Sequence, residues 1–218
     1  MNVSLFLIVL PVLLMSVVVH EVAHAVVARW EGDDTAYRQG RITLNPIPHL
    51  DPMGSVVVPL LLLALPGNFI FGWAKPVPVN PRNYRDFVKG DIKVSLAGIV
   101  ANLGLAVLFT LLLGLFQLIG SSVEAGGGMD ILVQAAFYGL FINLILAFFN
   151  LIPIPPLDGS HVVYHLLPPN LKTRYRAFGR YGIGVLFLLI FLVPEGFQVL
   201  LWPVTAVVEL ALRFVALW

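Results

Sequence analysis

Four stretches of this chain, 3–27, 92–119, 131–152 and 181–218, each reach the roughly 20 mostly apolar residues that one helical crossing of a bilayer demands. With 59% apolar residues, 11% charged residues and a mean hydropathy of +0.92, a water-soluble fold of 218 residues would lack the polar surface to cover itself. The expected class is an all-α polytopic membrane protein. The last stretch is long enough for two passes, with breaks at Pro194-Glu195-Gly196 and Trp202-Pro203, giving about five to six transmembrane helices. Residues 1–165 are expected to form a membrane core, and 166–218 a basic connection with the C-terminal span or spans. A net charge of +1 argues against a nucleic-acid partner. The absence of cysteine leaves only His and carboxylates to hold a metal.

Charge sets the orientation. Basic residues gather in three connections: Arg29, Arg38 and Arg41; Lys75, Arg82, Arg85, Lys89 and Lys93; and Lys172, Arg174, Arg176 and Arg180. All three are placed on the cytoplasmic side of the cell membrane by the positive-inside rule. The N-terminal MNVS and the 120–130 connection carry no Lys or Arg and lie outside. The first span then runs out to in, although Ala23-His24-Ala25 also has the form of a signal-peptide cleavage site. The missing basic n-region argues for a retained span. The segment between Arg41 and Lys75 must begin and end inside. Its apolar part, 55–73, is broken by Pro59, Pro66 and Gly67, so a re-entrant or membrane-embedded β-like segment is expected there.

Within the first span stands HEVAH, with His20, Glu21 and His24. A spacing of four stacks two imidazoles on one helix face, the geometry that lets both bind one zinc. Glu21 follows the first ligand, where a carboxylate can take a proton from an attacking water. From composition alone the pattern arises by chance with a probability on the order of 0.3%. Three ionisable groups within five positions of a membrane span are costly unless functional, so metal binding is expected. The third ligand expected is Asp158, in FNLIPIPPLDGSH, which follows another out-to-in span and lies at similar depth near the cytoplasmic face. Asp-Gly is also a common turn dipeptide.

HEVAH, the Gly98-xxx-Asn102 pair in SLAGIVANL and the run from Asn150 through Pro153, Pro155 and Pro156 to Asp158-Gly159 together resemble the site-2 protease family of intramembrane zinc metalloproteases, peptidase family M50, in its compact form. The resemblance implies a three-helix catalytic core and hydrolysis of peptide bonds within or beside the membrane. The substrates implied are single-span transmembrane proteins. Carried over by position, His20, His24 and Asp158 would hold one zinc per chain and Glu21 would be the general base. Asn150 and Asn102 match polar residues that line the family's cleft, and the family's embedded sheet agrees with the odd segment between Arg41 and Lys75.

From the residues alone, the Asn150 amide can donate to an oxyanion or cap its helix, and Gly98 with Asn102 can serve close helix packing. His49 and Asp51 in LNPIPHLDPMG read as a structural loop at the cleft mouth. His161 and His165 in HVVYH read as support for the site or as surface groups. An exposed strand edge between Arg41 and Lys75 would bind unwound substrate by β-augmentation. No stretch has the composition of a PDZ-like or nucleotide-sensing domain, so control is expected from membrane partners or prior trimming of the substrate. The competing function is a non-hydrolytic membrane transporter or metal-handling protein using the same His and Asp residues.

Overall fold

Long apolar runs become long helices because, in lipid, a helix satisfies every backbone N–H and C=O within its own segment. A computed structural model of the chain describes residues 3–64, 72–122, 127–192 and 196–216. Helices α1 (Val3–Trp30), α4 (Phe87–Ser122) and α5 (Gly127–Leu151) form the centre, joined by short helices α2 (Thr35–Arg38) and α3 (Val58–Ala64). Helices α6 (Gly159–Leu166), α7 (Pro169–Leu192) and α8 (Gly196–Val215) complete the chain. Among the described helices, α1, α4 and α5 are long and apolar enough to cross a membrane. Their outward residues are apolar too: Leu7, Val100 and Val107 are each more than 60% exposed, which suits a hydrocarbon solvent and not water. Helix α8 seats Val204, Val208 and Val215 against Ala106, Leu113, Ala136 and Leu140 of α4 and α5.

Among the described residues there is no β-strand. The β-like expectation for 55–73 is overturned over 55–64, where a π-type turn, Pro52–Val57, runs into α3. Asp51 explains the difference: its carboxylate accepts from the N–H groups of Met53 and Gly54 at 3.0 and 2.7 Å, and Pro52 follows at the first helical position. This cap-and-proline start outweighs the β-branched run Val56 to Val58. Residues 65–71 lie outside the described residues. A strap without regular secondary structure follows at 72–80, and its Val77 N–H reaches Glu21 of α1.

The end of α1 fixes that strap. Gly32, at φ 112°, closes the helix with Asp33 N–H donating back to the Ala28 carbonyl at 2.9 Å. A side chain at Gly32 would stand 2.9 Å from the Asn83 carbonyl oxygen. Asp33 is fully buried and collects the N–H groups of Asn80 and Thr35, the Thr35 hydroxyl and the Asn83 amide. Burial raises the Asp33 pKa, but these hydrogen bonds outweigh it and lower the pKa below its ordinary 3.8. A depressed folded pKa means that the stabilisation is complete above the ordinary value and is lost as pH falls through the folded one. Asp33→Ala is expected to cost about 3 kcal/mol, read as a lowered unfolding temperature in detergent. Asp33→Asn should lack that part of the parent's loss of stability below pH 3.8.

Candidate metal centre

His20 and His24 lie one turn apart on α1, and Asp158 lies at the start of α6, after the loop that leaves α5. Their ligand atoms converge. His20 Nε2 is 3.0 Å from His24 Nε2, and Asp158 Oδ2 is 3.2 Å from the first and 3.4 Å from the second. The tautomers follow from the far side of each ring. His24 Nδ1 donates to the Val94 carbonyl at 2.6 Å. His20 Nδ1 faces Asn102 Oδ1 at 2.5 Å, and the Asn102 amide donates onward to Asn143 Oδ1 at 2.7 Å and the Ser16 carbonyl at 3.3 Å. Both Nδ1 atoms therefore carry protons, and both Nε2 lone pairs face the gap.

Asp158 Oδ2 is buried and has no hydrogen-bond donor. Two lone pairs and an anionic oxygen thus meet with no proton donor between them, an arrangement that a cation relieves. Tetrahedral zinc with bonds near 2.05 Å sets its ligands about 3.3 Å apart. The three separations match that edge length, so these residues fit zinc.

The converging side chains have their own supports. Gly98 on α4 packs under the His20 ring: a Cβ there would fall 2.4 Å from Cε1 and 2.6 Å from either ring nitrogen. One turn on, Asn102 is fully buried, with its amide divided among His20, Asn143 and Ser16. The structure thus puts Asn102 behind the His20 imidazole, with its amide already engaged. Asn143 is also fully buried, donating to Ser16 Oγ at 2.9 Å and the Gly139 carbonyl at 2.8 Å. At Gly159 a Cβ would stand 2.3 Å from the Leu151 carbonyl oxygen, so the turn placing Asp158 requires glycine. Asp91 of α4 clamps α6 by accepting from His165 Nε2 at 2.7 Å and His161 Nδ1 at 3.1 Å. That hydrogen bond and the Asp91 charge raise the His161 pKa against burial.

Glu21 does not join the three converging atoms. Its Oε2 accepts the Val77 N–H of the strap at 2.7 Å. The backbone groups of Trp73, Lys75 and Val77 on one side of the strap all have partners within the chain, and Arg41 also reaches the Pro76 carbonyl at 3.3 Å. Gly54, Ser55, His49, Arg41 and Glu21 occupy that side, closing it to a substrate strand. His49 is fully buried, with Nε2 donating to the Thr43 carbonyl at 3.0 Å. Burial and the Arg41 charge lower its pKa against that hydrogen bond and the Glu21 charge. Asp51 is spent on its turn. Asn150 donates to the Leu146 carbonyl of its own helix at 2.9 Å. Sequence reasoning missed Asn143, Ser16 and Asp91; an Asn inside an apolar helix is the signal that could have found Asn143, whereas Asp91 stands in the charged run Lys89-Gly-Asp-Ile-Lys93 and carries no such signal.

Apolar helices long enough to cross a bilayer, two imidazoles and a carboxylate facing one another, and a glutamate next along the helix define a membrane protein built for metal-assisted hydrolysis. The chain belongs to peptidase family M50, whose sequence profile matches residues 80–193. It is 43% identical over 195 residues to "Putative zinc metalloprotease YwhC" of Bacillus subtilis, covering 88% of this chain and 82% of that protein. It is 37% identical over 172 residues to "Putative zinc metalloprotease Rip2" of Mycolicibacterium smegmatis, covering 79% of this chain and 60% of the relative. A Mycobacterium tuberculosis protein of the same name is 32% identical over 194 residues, covering 88% and 69%. No solved structure matches the chain.

Proposed function

We propose that this M50 metalloprotease hydrolyses peptide bonds within or beside the transmembrane segment of single-span membrane proteins, with one zinc held by His20, His24 and Asp158. The observation that carries the reading is the meeting of three acceptor atoms at 3.0, 3.2 and 3.4 Å with no donor among them. Bound there, zinc supplies a Lewis acid that polarises the scissile carbonyl and makes water easier to deprotonate. Glu21 takes a proton from the attacking water through Oε1, since Val77 N–H holds Oε2. The water oxygen bonds to the carbonyl carbon, the C–N bond breaks, and Glu21 hands the proton to the departing amine. Asn102, backed by Asn143, keeps the His20 proton on Nδ1 so that Nε2 stays a ligand.

A helical substrate has its carbonyls engaged in its own hydrogen bonds, so it must be bound unwound. Asn150 serves that backbone by exchanging its bond to Leu146 for one to a substrate carbonyl. The positive-inside pattern places the site near the cytoplasmic face of the cell membrane, with the 41–75 segment returning to the side it left, and α7 and α8 adding crossings to the core. The test is metal removal in proteoliposomes carrying a single-span membrane protein. Chelation is expected to abolish cleavage, and about one equivalent of zinc per chain to restore it. A metal carrier would show zinc flux and no cleavage, and cleavage indifferent to chelation would end the proposal.

A further inference from the structure

Helix α7 opens with Lys172, Arg174, Arg176 and Arg180, and none of the four forms an ion pair among the described residues. The sequence holds no Asp or Glu from Ser160 to Pro194. Elsewhere, Arg29, Lys89, Lys93 and Arg213 each sit on a carboxylate. Lys172, Arg176 and Arg180 recur every fourth residue and so share one face, where like charges repel unless an anion lies between them. Lys172 and Arg176 rest over the Tyr164 ring at 5.2 and 4.3 Å, which holds their heads in place. Beyond Tyr181 the sequence of α7 turns apolar, GIGVLFLLIFL over 182–192. A basic half followed by an apolar half belongs where a helix passes from the headgroup layer into hydrocarbon.

The neighbouring face of α7 touches the loop that carries Asp158. Tyr175 donates its hydroxyl to the Pro153 carbonyl at 2.8 Å. A Cβ on Gly179 would lie 3.2 Å from Pro155 Cβ, and one on Gly182 would overlap the Pro155 carbonyl oxygen, so the α7 backbone lies flush on that loop. We infer that the Lys172, Arg176 and Arg180 stripe is a seat for anionic phospholipid headgroups, and that a headgroup seated there braces α7 against the loop leading to Asp158. The inference concerns lipid binding and loop order, so it stands or falls apart from the protease reading.

The test uses the full chain in nanodiscs of phosphatidylcholine, alone or with about a third phosphatidylglycerol. Lipid retained after extraction is counted by native mass spectrometry, and hydrogen exchange is followed at 152–159. The parent is expected to retain phosphatidylglycerol over phosphatidylcholine. A K172Q/R176Q/R180Q variant should weaken that preference by more than tenfold, since each charge near an anionic surface is worth roughly fivefold. An R176K/R180K variant should keep it, and about 1 M salt should erase it in the parent, a result that does not depend on the triple variant folding. Equal retention of the two lipids by the parent, or an unchanged preference in a folded triple variant, overturns the seat. Exchange at 152–159 that phosphatidylglycerol fails to slow overturns the bracing.

Discussion

Glu21→Gln is expected to leave bound zinc at the parent level and to lower peptide cleavage by roughly a thousandfold. The amide keeps the size of the carboxylate and still offers an oxygen to the Val77 N–H, so the strap stays where it is. Glu21 is not among the three atoms that converge on the metal position, so metal affinity should survive. What disappears is the group that accepts a proton from water and returns it to the amine. Zinc content and cleavage of one single-span substrate, measured on the same preparations, read both halves. A variant that still cleaves at the parent rate would remove Glu21 from the chemistry, and one that loses its zinc would make Glu21 a ligand.

Gly98→Ala should be nearly as damaging, by a different route. The added carbon would stand 2.4 Å from the His20 ring, closer than a real Cβ approaches anything. The ring has little room to yield, because its Nδ1 is tied to Asn102 and its Nε2 points at His24 and Asp158. Either the ring leaves the metal position or α1 and α4 part. Zinc affinity is expected to fall by roughly a hundredfold or more, with a packing cost of about 1–3 kcal/mol. Equilibrium competition against a zinc chelator measures the first and thermal unfolding the second. Parent-like zinc affinity in the variant would show that the ring is not held in this way.

What the sequence made legible was what lies close together in it. HEVAH declares its geometry because four residues make about one helical turn. The long helices declare themselves by uninterrupted apolar length. The contacts that tune the site join distant residues. Asn143 meets Ser16 across 127 positions, His161 meets Asp91 across 70, and Val77 meets Glu21 across 56. No local pattern encodes such pairings, although a polar residue inside an apolar helix marks where to look. The β-like expectation for 55–73 fails over 55–64 for a related reason. Valines weigh toward a strand and prolines against an unbroken helix, and only the cap made by Asp51 shows that the chain turns helical there.

Gly98 and Asn102 show how much a motif holds back before its partner is known. As sequence they read as a small residue and a polar residue one turn apart, suited to close helix packing, with a place in a substrate cleft only as the family resemblance implies. Set against α1, the same pair is a flat seat for the His20 ring and a hydrogen bond that fixes its tautomer. The Asn150 to Asp158 run behaves similarly: the sequence offers a proline-rich turn, and packing of α6 on Asp91 and of α7 on Pro155 turns it into the mount for Asp158.

Zinc held by His20, His24 and Asp158 would show itself in zinc-edge X-ray absorption on the purified protein. A shell of two imidazole nitrogens with the remaining ligands oxygen, all near 2.0–2.1 Å, is expected, together with loss of that spectrum in His24→Ala. A shell of oxygens alone, or an unaltered spectrum in His24→Ala, would contradict it.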